Sequence, residues 1–284
     1  MTPKPGTTFS DVLSADRKLV NAWLKDELRF DRAVPSKLSR AMRFAVMGPG
    51  KRIRAVLALE TFRAARGGDD ELVRPFCCGL EMVHAFSLVH DDLPSMDDDD
   101  ERRGRPSLHR KYDESTAILA ADALLARAFE VMARGEASAG RKLRAIEEVA
   151  GAIGPAGMAG GQLLDLAPKG NGNAAALRKT HGMKTARFIA AAMAGGAMIA
   201  GARTRDTDRI RDAGMELGML FQVTDDLLDA GHETGTSAVK VQGRERALKA
   251  AEECAHRAET GLWAMGAPYR LLAKAPLFIL RRKR

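Results

Sequence analysis

Two pairs of adjacent aspartates are the residues best suited to chemistry. The first pair, Asp91-Asp92, is followed by Asp97 and by an acidic run that ends at Glu101. This many carboxylates without nearby lysines would repel one another in a folded chain. Mg²⁺ prefers hard oxygen ligands and is typically held by one or two carboxylates together with substrate phosphates. The run therefore predicts a magnesium site, although a solvated acidic loop is the competing interpretation.

The second pair belongs to a helical stripe. Gln222, Asp225, Asp226 and Asp229 stand at i, i+3, i+4 and i+7, so a helix would place them on one face. Their neighbours in the chain are mostly apolar, and burying three carboxylates is costly unless they bind a cation. We therefore expect a second cation site here, and an ordinary surface face is the alternative.

The spacing before and after the first pair predicts how its residues converge. His84 and Asp91 are seven apart and share a helical face. Pro94 disfavours helix at Leu93, so the helix should stop or kink there. Asp91 and Asp97 would be splayed by about 120° on a straight helix. A break between them lets both carboxylates approach one ion.

Three basic segments could hold an anion. Gly50-Lys51-Arg52-Ile53-Arg54 combines a helix start with cations, which suits a phosphate. Arg102-Arg103 follows the acidic run, and its cations could hold the far oxygens of a metal-bound phosphate. Lys184-Thr185 opens a long apolar helix. A basic helix start, charge balance and a plain helix start are the respective alternatives.

Composition limits the classes of protein. The chain has 284 residues, 45% hydrophobic and 29% charged, with a net charge of +8, typical of a globular protein with anionic partners. Aromatic residues make up only 5%, which argues against nucleic-acid binding by base stacking. Three cysteines without CxxC spacing indicate a reducing, cytoplasmic compartment. The apolar stretch 188–202 is too short to span a membrane and predicts a buried helix.

Apolar residues recur every three or four positions, and good helix formers dominate. The pattern predicts one all-α domain over residues 1–284, with residues 1–10 disordered. The predicted helices are 11–28, 36–47, 53–66, 71–93, 115–134, 141–153, 155–166, 174–181, 184–202, 206–230, 241–262 and 268–282.

Taken together, these segments resemble the trans-isoprenyl diphosphate synthases, the family of farnesyl and geranylgeranyl diphosphate synthases. Asp91 to Asp97 is similar to the first aspartate-rich motif in its longer form, and Asp225 to Asp229 to the second. Residues 50–54 are similar to the family's GKRLR segment, and residues 161–165 (GQLLD) and Lys184-Thr185 also match. The resemblance runs from about Arg40 to Asp229 and implies a helical bundle of the isoprenoid synthase type with a central cavity.

The resemblance also implies an enzyme that condenses isopentenyl diphosphate with an allylic diphosphate, with Mg²⁺, three ions, as cofactor. It assigns the metal ligands to Asp91, Asp92, Asp97, Asp225, Asp226 and Asp229. It assigns catalysis to Asp91, Asp97, Lys184, Gln222 and Asp225. Substrate binding falls to Lys51, Arg54, His84, Arg102, Arg103, Lys184, Thr185 and Gln222. Family members are usually homodimers, and we expect no nucleic-acid or membrane partner.

Product length in the family depends on the residues preceding the first motif. Ser87 is small and lies four residues before Asp91, whereas the bulky Phe86 lies five before it. An aromatic residue here, with the longer motif, goes with a short product. The resemblance therefore favours C15 farnesyl diphosphate, with C20 geranylgeranyl diphosphate as the alternative.

The sequence departs from the family after Asp229, where residues 230–238 form a loop roughly a dozen residues shorter than expected. Lys240 is the only lysine between Asp229 and Lys249, and it matches neither lysine that the family places there. A low-activity or regulatory partner subunit is therefore an alternative. A terpene cyclase is a further one, although it would not need Lys51, Arg54 and His84.

Overall fold

The computed structural model describes residues 6–167, 173–230 and 237–282, and most of these residues are helical. The first half contains α1 (Phe9–Glu27), α2 (Ser36–Val46), α3 (Ile53–Ala64), α4 (Arg74–Asp91), α5 (Leu108–Lys111), α6 (Glu114–Arg134) and α7 (Ala139–Ile153). The second half contains α8 (Met158–Leu166), α9 (Ala174–His181), α10 (Arg187–Ala200), α11 (Thr204–Asp229), α12 (Ala238–Gln242), α13 (Arg244–Trp263) and α14 (Ala275–Leu280). The prediction of an all-α fold is confirmed.

The sequence did not predict the short elements between these helices. A two-stranded antiparallel hairpin joins β1 (Glu101–Arg102) to β2 (Arg105–Pro106) directly after the acidic run. A π-helical turn, Gly182–Ala186, connects α9 to α10. Three 3₁₀ turns are also present, at Asp70–Leu72, Ala267–Tyr269 and Leu272–Lys274.

Several predicted boundaries differ from the observed ones, and the single helix predicted over 241–262 is two helices, α12 and α13, which meet at Gly243. Helix α1 begins at Phe9 because Thr8 and Asp11 form a capping box, in which each side chain accepts the other's backbone N–H. Residues 1–10 were predicted to be disordered, but Thr8 caps α1 and Phe9 is buried, so the prediction does not hold for residues 8–10. Residues 1–5 lie outside the described residues. The single helix predicted over 268–282 is instead the last two 3₁₀ turns followed by α14.

Helix α10 is the centre of the bundle and is buried from Phe188 to Ile199. A helix that is apolar on every side is buried on every side, as the sequence predicted for this stretch. Gly196 explains how closely α3 approaches, because a Cβ there would lie 2.3 Å from the carbonyl oxygen of Ala58. None of the described helices is both long and apolar enough to cross a membrane.

Candidate active site

A cavity of about 650 Å³ opens between α3, α4, α8 and α11. It is lined by most of the residues that the sequence singled out: Lys51, Arg54, His84, Ser87, Asp91, Asp97, Arg102, Arg103, Lys184, Thr185, Gln222 and Asp225. These residues come from five separate parts of the chain, and the fold brings them to one space.

Four of the predicted residues are not among those that line the cavity: Phe86, Asp92, Asp226 and Asp229. The ring of Phe86 packs against His90, with ring centroids 4.7 Å apart. Asp92 and Asp226 are buried behind the cavity wall, and Asp229 is the exposed last residue of α11. Adjacent aspartates therefore point to different surroundings.

The first aspartate pair lies where α4 ends. Asp91 is the last helical residue, and the backbone N–H of Asp97 donates to the carbonyl oxygen of Asp91 at 2.9 Å. This turn folds the chain back so that both side chains reach the cavity, as the spacing predicted. Burial raises the pKa of Asp91 to about 6, an effect that Lys184 opposes and Asp97 reinforces. A cation bound here would favour the ionised carboxylate.

Asp92 is the partner of a cation instead of a cavity residue. Its Oδ1 accepts a hydrogen bond from Arg102 Nε at 2.5 Å, and its side chain is only 5% exposed. Burial raises the pKa of Asp92, and the bond to Arg102 opposes that shift. Because Arg102 lies in β1, this ion pair ties the hairpin to the end of α4 and aims the guanidinium at the cavity.

The second pair lies in the last turns of α11. Asp225 faces the cavity, where its carboxylate contacts the guanidinium of Arg282. Arg282 also donates to the carbonyl oxygen of Phe221 at 3.0 Å and stacks over the Phe221 ring at 4.0 Å. Burial raises the pKa of Asp225, and Arg282 opposes that shift.

The start of α3 supplies the buried cation of the cavity. Burial lowers the pKa of Arg54 to about 10, and the guanidinium lies 5.2 Å above the ring of Phe188. Gly50 makes room for the hairpin, because a Cβ there would lie 2.9 Å from Arg103 Nη1. That Arg103 nitrogen donates to the carbonyl oxygen of Pro49 at 2.6 Å. Burial, and then Arg54 and Arg103, hold the pKa of His84 well below its usual range, so the imidazole is neutral.

The π-helical turn positions Lys184 and Thr185. Lys184 Nζ lies 2.7 Å from an oxygen of Asp165, and despite burial this bond raises the pKa of the amine. Thr185 Oγ1 donates to Gln222 Oε1 at 2.9 Å. Lys184 and Thr185 both line the cavity from this turn.

Several buried polar atoms around the cavity have no hydrogen-bond partner among the described residues. They are Arg54 Nε, Arg282 Nε, and both Nε2 and Oε1 of Gln162. Leaving buried polar groups unpaired costs free energy. A polar ligand in the cavity would supply the missing partners.

The carboxylates that face the cavity are spread out. The described residues contain one group of three acidic or histidine side chains whose ligand atoms lie within 4.8 Å of one another, namely Asp98, Asp100 and His109, outside the cavity lining. Asp91, Asp97 and Asp225 do not form such a group. Their donor set suits Mg²⁺ ions whose remaining ligands are waters and ligand phosphates.

Sequence comparison relates this site to known proteins. The sequence profile described as Polyprenyl synthetase matches residues 35–242. The chain belongs to this family. It is 41% identical over 199 residues to the farnesyl diphosphate synthase of Geobacillus stearothermophilus, covering 69% of this chain and 67% of the relative. It is 40% identical over 214 residues to geranylgeranyl pyrophosphate synthase 7 of Arabidopsis thaliana, covering 72% of this chain and 61% of that relative.

Solved structures extend the likeness over nearly the whole chain. An FPP/GFPP synthase from Zymomonas mobilis superposes with a TM-score of 0.88 at 29% identity, covering 96% of this chain and 98% of that one. A geranyltransferase from Legionella pneumophila gives 0.89 at 27% identity, with 96% of each chain covered. The structural likeness thus covers nearly all of this chain and of those two solved structures, whereas the sequence matches to curated relatives span only about two thirds of their length.

Eleven of the residues that line the cavity were not predicted as site residues, and Gln162 and Arg282 are the two whose polar groups matter most for the site. Gln162 belongs to the GQLLD segment, which matched the family but received no role. Arg282 is 57 positions away from Asp225 in the chain, and nothing local indicates their contact. Only the basic character of the C-terminus could have drawn attention to it.

Proposed function

We propose that this chain is a short-chain prenyltransferase that joins isopentenyl diphosphate to an allylic diphosphate. The observation that carries this proposal is that Asp91 and Asp225, on two different helices, face one cavity that also holds Lys51, Arg54, Arg102 and Lys184. Separated carboxylates with cations around them suit a diphosphate bridged by divalent ions. The names of the family members it matches support the same chemistry.

Asp91, Asp97 and Asp225 would hold Mg²⁺, and three ions are the number that the family resemblance implies. When bound, the metal supplies positive charge that makes the diphosphate a better leaving group. The buried carboxylates fit this role, because burial raises the pKa values of Asp91 and Asp225 and a cation would compensate the cost of ionising them. Asp229, at the end of α11, borders this region.

Arg102, Lys184 and Gln222 would bind the allylic diphosphate. The allylic C–O bond breaks, its electron pair leaves with the diphosphate, and these donors stabilise the negative charge that develops. Asp92 and Asp165 hold the Arg102 and Lys184 side chains beside the cavity before substrate arrives. Such pre-positioning lowers the cost of organising the transition state.

Lys51, Arg54, His84 and Arg103 would hold isopentenyl diphosphate. Its double bond attacks the allylic cation to form the new C–C bond, and a proton is then lost to the departing diphosphate. The neutral His84 suits a hydrogen bond and not a charge contact, because burial and two neighbouring arginines disfavour its protonation. The apolar lining residues Ile53, Leu88 and Met158 would help to keep water away from the cation.

The proposed product is C15 farnesyl diphosphate, with C20 geranylgeranyl diphosphate as the alternative. Relatives of both kinds match the chain at similar identity, so identity does not separate them. Of the two positions that the sequence selected, Ser87 lines the cavity and Phe86 packs beside it against His90. Ser87 is therefore the position from which a larger side chain would enter the cavity directly.

We also propose that the protein acts as a homodimer through α6 and α7. Leu119 on α6 and Leu143 on α7 are 61% and 66% exposed, and Ile118 adjoins them at 41%. Large exposed apolar side chains on neighbouring helices are typical of a subunit interface. Sedimentation of the purified chain, compared with a Leu119→Lys variant, tests this. The cytoplasmic location stays a prediction from the cysteine content.

A regulatory partner subunit is the second candidate, because the loop after Asp229 is short and one relative is named as the large subunit of a heterodimeric synthase. The test is to incubate the purified chain alone with Mg²⁺, labelled isopentenyl diphosphate and each of the C5, C10 and C15 allylic primers. Chromatography of the dephosphorylated products should show a C15 alcohol. No product from the chain alone, with product on adding a catalytic partner, would favour the regulatory subunit.

A further inference from the structure

Asp226 has chain groups against both of its carboxylate oxygens. Oδ1 accepts a hydrogen bond from Gln222 Nε2 at 3.1 Å, and Oδ2 accepts the backbone N–H of Ala238 at 2.6 Å. His181 Nε2 lies 3.6 Å from the same Oδ2. The residue is 7% exposed. These contacts place Asp226 between α11, the end of α9 and the start of α12.

The neighbouring Asp225 has the opposite surroundings. Consecutive helical residues point about 100° apart, so one can face a cavity while the next faces another helix. Asp225 lines the cavity, whereas Asp226 is not among the lining residues. A ligand in the cavity would therefore contact Asp225, whereas the Asp226 carboxylate is buried outside the cavity lining.

The bond to Gln222 decides which way its amide points. An ionised carboxylate only accepts hydrogen bonds, so the amide NH₂ must face Asp226, and the amide oxygen then faces Thr185. The Thr185 hydroxyl indeed donates to Gln222 Oε1 at 2.9 Å. In this orientation the second N–H of the amide is the donor that Gln222 can offer to an oxygen in the cavity.

The bond to Ala238 secures the beginning of α12. Ser237 Oγ accepts the N–H of Lys240 at 3.3 Å, and Asp226 accepts the N–H of Ala238. The free N–H groups at a helix start need such acceptors. This bond joins the start of α12 to the residue of α11 that follows Asp225.

We propose that Asp226 is a positioning residue and not a metal ligand: it fixes the Gln222 amide and the start of α12 at the wall of the cavity. The proposal rests on the proposed function only for the identity of the ligand that Gln222 meets. It replaces the metal role that the family resemblance implied for Asp226.

Metal binding tests the proposal without any assay of the reaction. Mn²⁺ replaces Mg²⁺ as a probe, and electron paramagnetic resonance measures free Mn²⁺ over the purified wild type, Asp225→Asn and Asp226→Asn. We expect Asp225→Asn to weaken binding by at least about tenfold, and Asp226→Asn to match the wild type. Equal weakening in both variants would overturn the proposal, whether or not the chain is a prenyltransferase.

A double-mutant cycle tests whether Asp226 acts through Gln222. Asp226→Asn and Gln222→Ala should each raise the KM for the allylic diphosphate by about tenfold, and the double variant should be no worse than Gln222→Ala alone. Asp226→Glu, which keeps two acceptor oxygens where Asn keeps one, should recover part of the loss. Additive effects of the two substitutions would show that Asp226 does not act through Gln222.

Hydrogen exchange tests the second contact. Asp226→Ala should speed amide exchange across residues 238–242, while Asp225→Ala should leave those amides as protected as in the wild type. Unchanged protection in Asp226→Ala would contradict the anchoring of α12.

Discussion

The two aspartate pairs reach the same cavity from helices that end differently. In α4 the helix stops at Asp91, and a turn returns Asp97 to the site. In α11 the helix continues past Asp225 for another turn to Asp229, so its acidic residues stay on a regular ladder. In both pairs the first aspartate lines the cavity and the second is buried behind it.

The second aspartates of the two pairs, Asp92 and Asp226, bind different groups of the chain. Asp92 holds a guanidinium from the hairpin, and Asp226 holds an amide and a helix start. At the end of α4 the second aspartate thus holds the hairpin that follows, whereas in α11 it holds a residue of its own helix and the start of α12. In the proposed function, each Asp-Asp pair therefore combines a metal ligand with a supporting carboxylate.

The largest effect is expected for the first aspartate of each pair, because both of these residues line the cavity. Asp91→Asn and Asp225→Asn each remove a cavity carboxylate and should lower kcat/KM by more than about 100-fold, with a raised Mg²⁺ requirement. Asp212→Asn is the matched control, because it makes the same change at an exposed position of α11. Initial rates over a Mg²⁺ titration measure both effects. Near wild-type activity in either cavity variant would contradict the metal assignment.

A smaller effect is expected where Asp92 supports Arg102. Asp92→Asn keeps an acceptor oxygen but removes the charge that strengthens the bond to the guanidinium, so the KM for the allylic diphosphate should rise about tenfold. Mn²⁺ affinity should stay at the wild-type value. If Asp92→Asn instead weakened Mn²⁺ binding as Asp91→Asn does, the division of each pair into ligand and support would be wrong.

Product length gives a further comparison, between Phe86 and Ser87. Ser87→Phe should shorten the product, because Ser87 lines the cavity and a larger side chain there would limit the length of the growing chain. Phe86→Ala should lengthen the product if the Phe86 ring closes the end of the cavity that holds the growing chain. Chain-length analysis of the dephosphorylated alcohols distinguishes the two positions. A change in product length with Ser87→Phe and none with Phe86→Ala would show that the residue at position 87 limits the product length.

The sequence predicted the helices well because their signals are local. Apolar spacing marked α2 and α3, and Pro94 correctly predicted where α4 stops. The hairpin at Glu101–Pro106 was missed because two-residue strands carry no alternation and its arginines look like charge balance. The π-helical turn was missed because it differs from an α-helix by a single residue per turn.

The sequence predicted many of the residues that line the cavity, but not which way each of the acidic side chains faces. Residue types and spacing brought His84 and Asp97 to the same site, as the structure shows. The stripe from Gln222 to Asp229 did not reveal that Asp226 faces α12, because that depends on which helices surround α11. The contact of Arg282 with Asp225 likewise comes from the packing of the chain end against α11.

A third acidic cluster differs from the two aspartate pairs, because its three carboxylates all contact one arginine, Arg63. Arg63 contacts Asp16 at 2.9 Å, Glu60 at 2.6 Å and Asp70 at 2.5 Å, and none of these four residues lines the cavity. Burial raises the pKa of Glu60 above its usual range, and the hydrogen bond from Arg63 opposes that shift. A raised pKa means that the folded state binds the proton more tightly than the unfolded state does.

The smallest effect is therefore one of stability. The stabilisation from protonated Glu60 is complete below its unfolded pKa and is lost as the pH rises through its folded pKa, between about pH 5 and 8. Glu60→Gln keeps an acceptor for Arg63 and cannot ionise, so its Tm should fall less over this interval than that of the wild type, by about 2 °C. The exposed Glu136→Gln is the control. Mn²⁺ affinity should not change, because Glu60 does not line the cavity. A Tm profile for Glu60→Gln parallel to the wild type would show that the burial cost of Glu60 is already offset within the cluster.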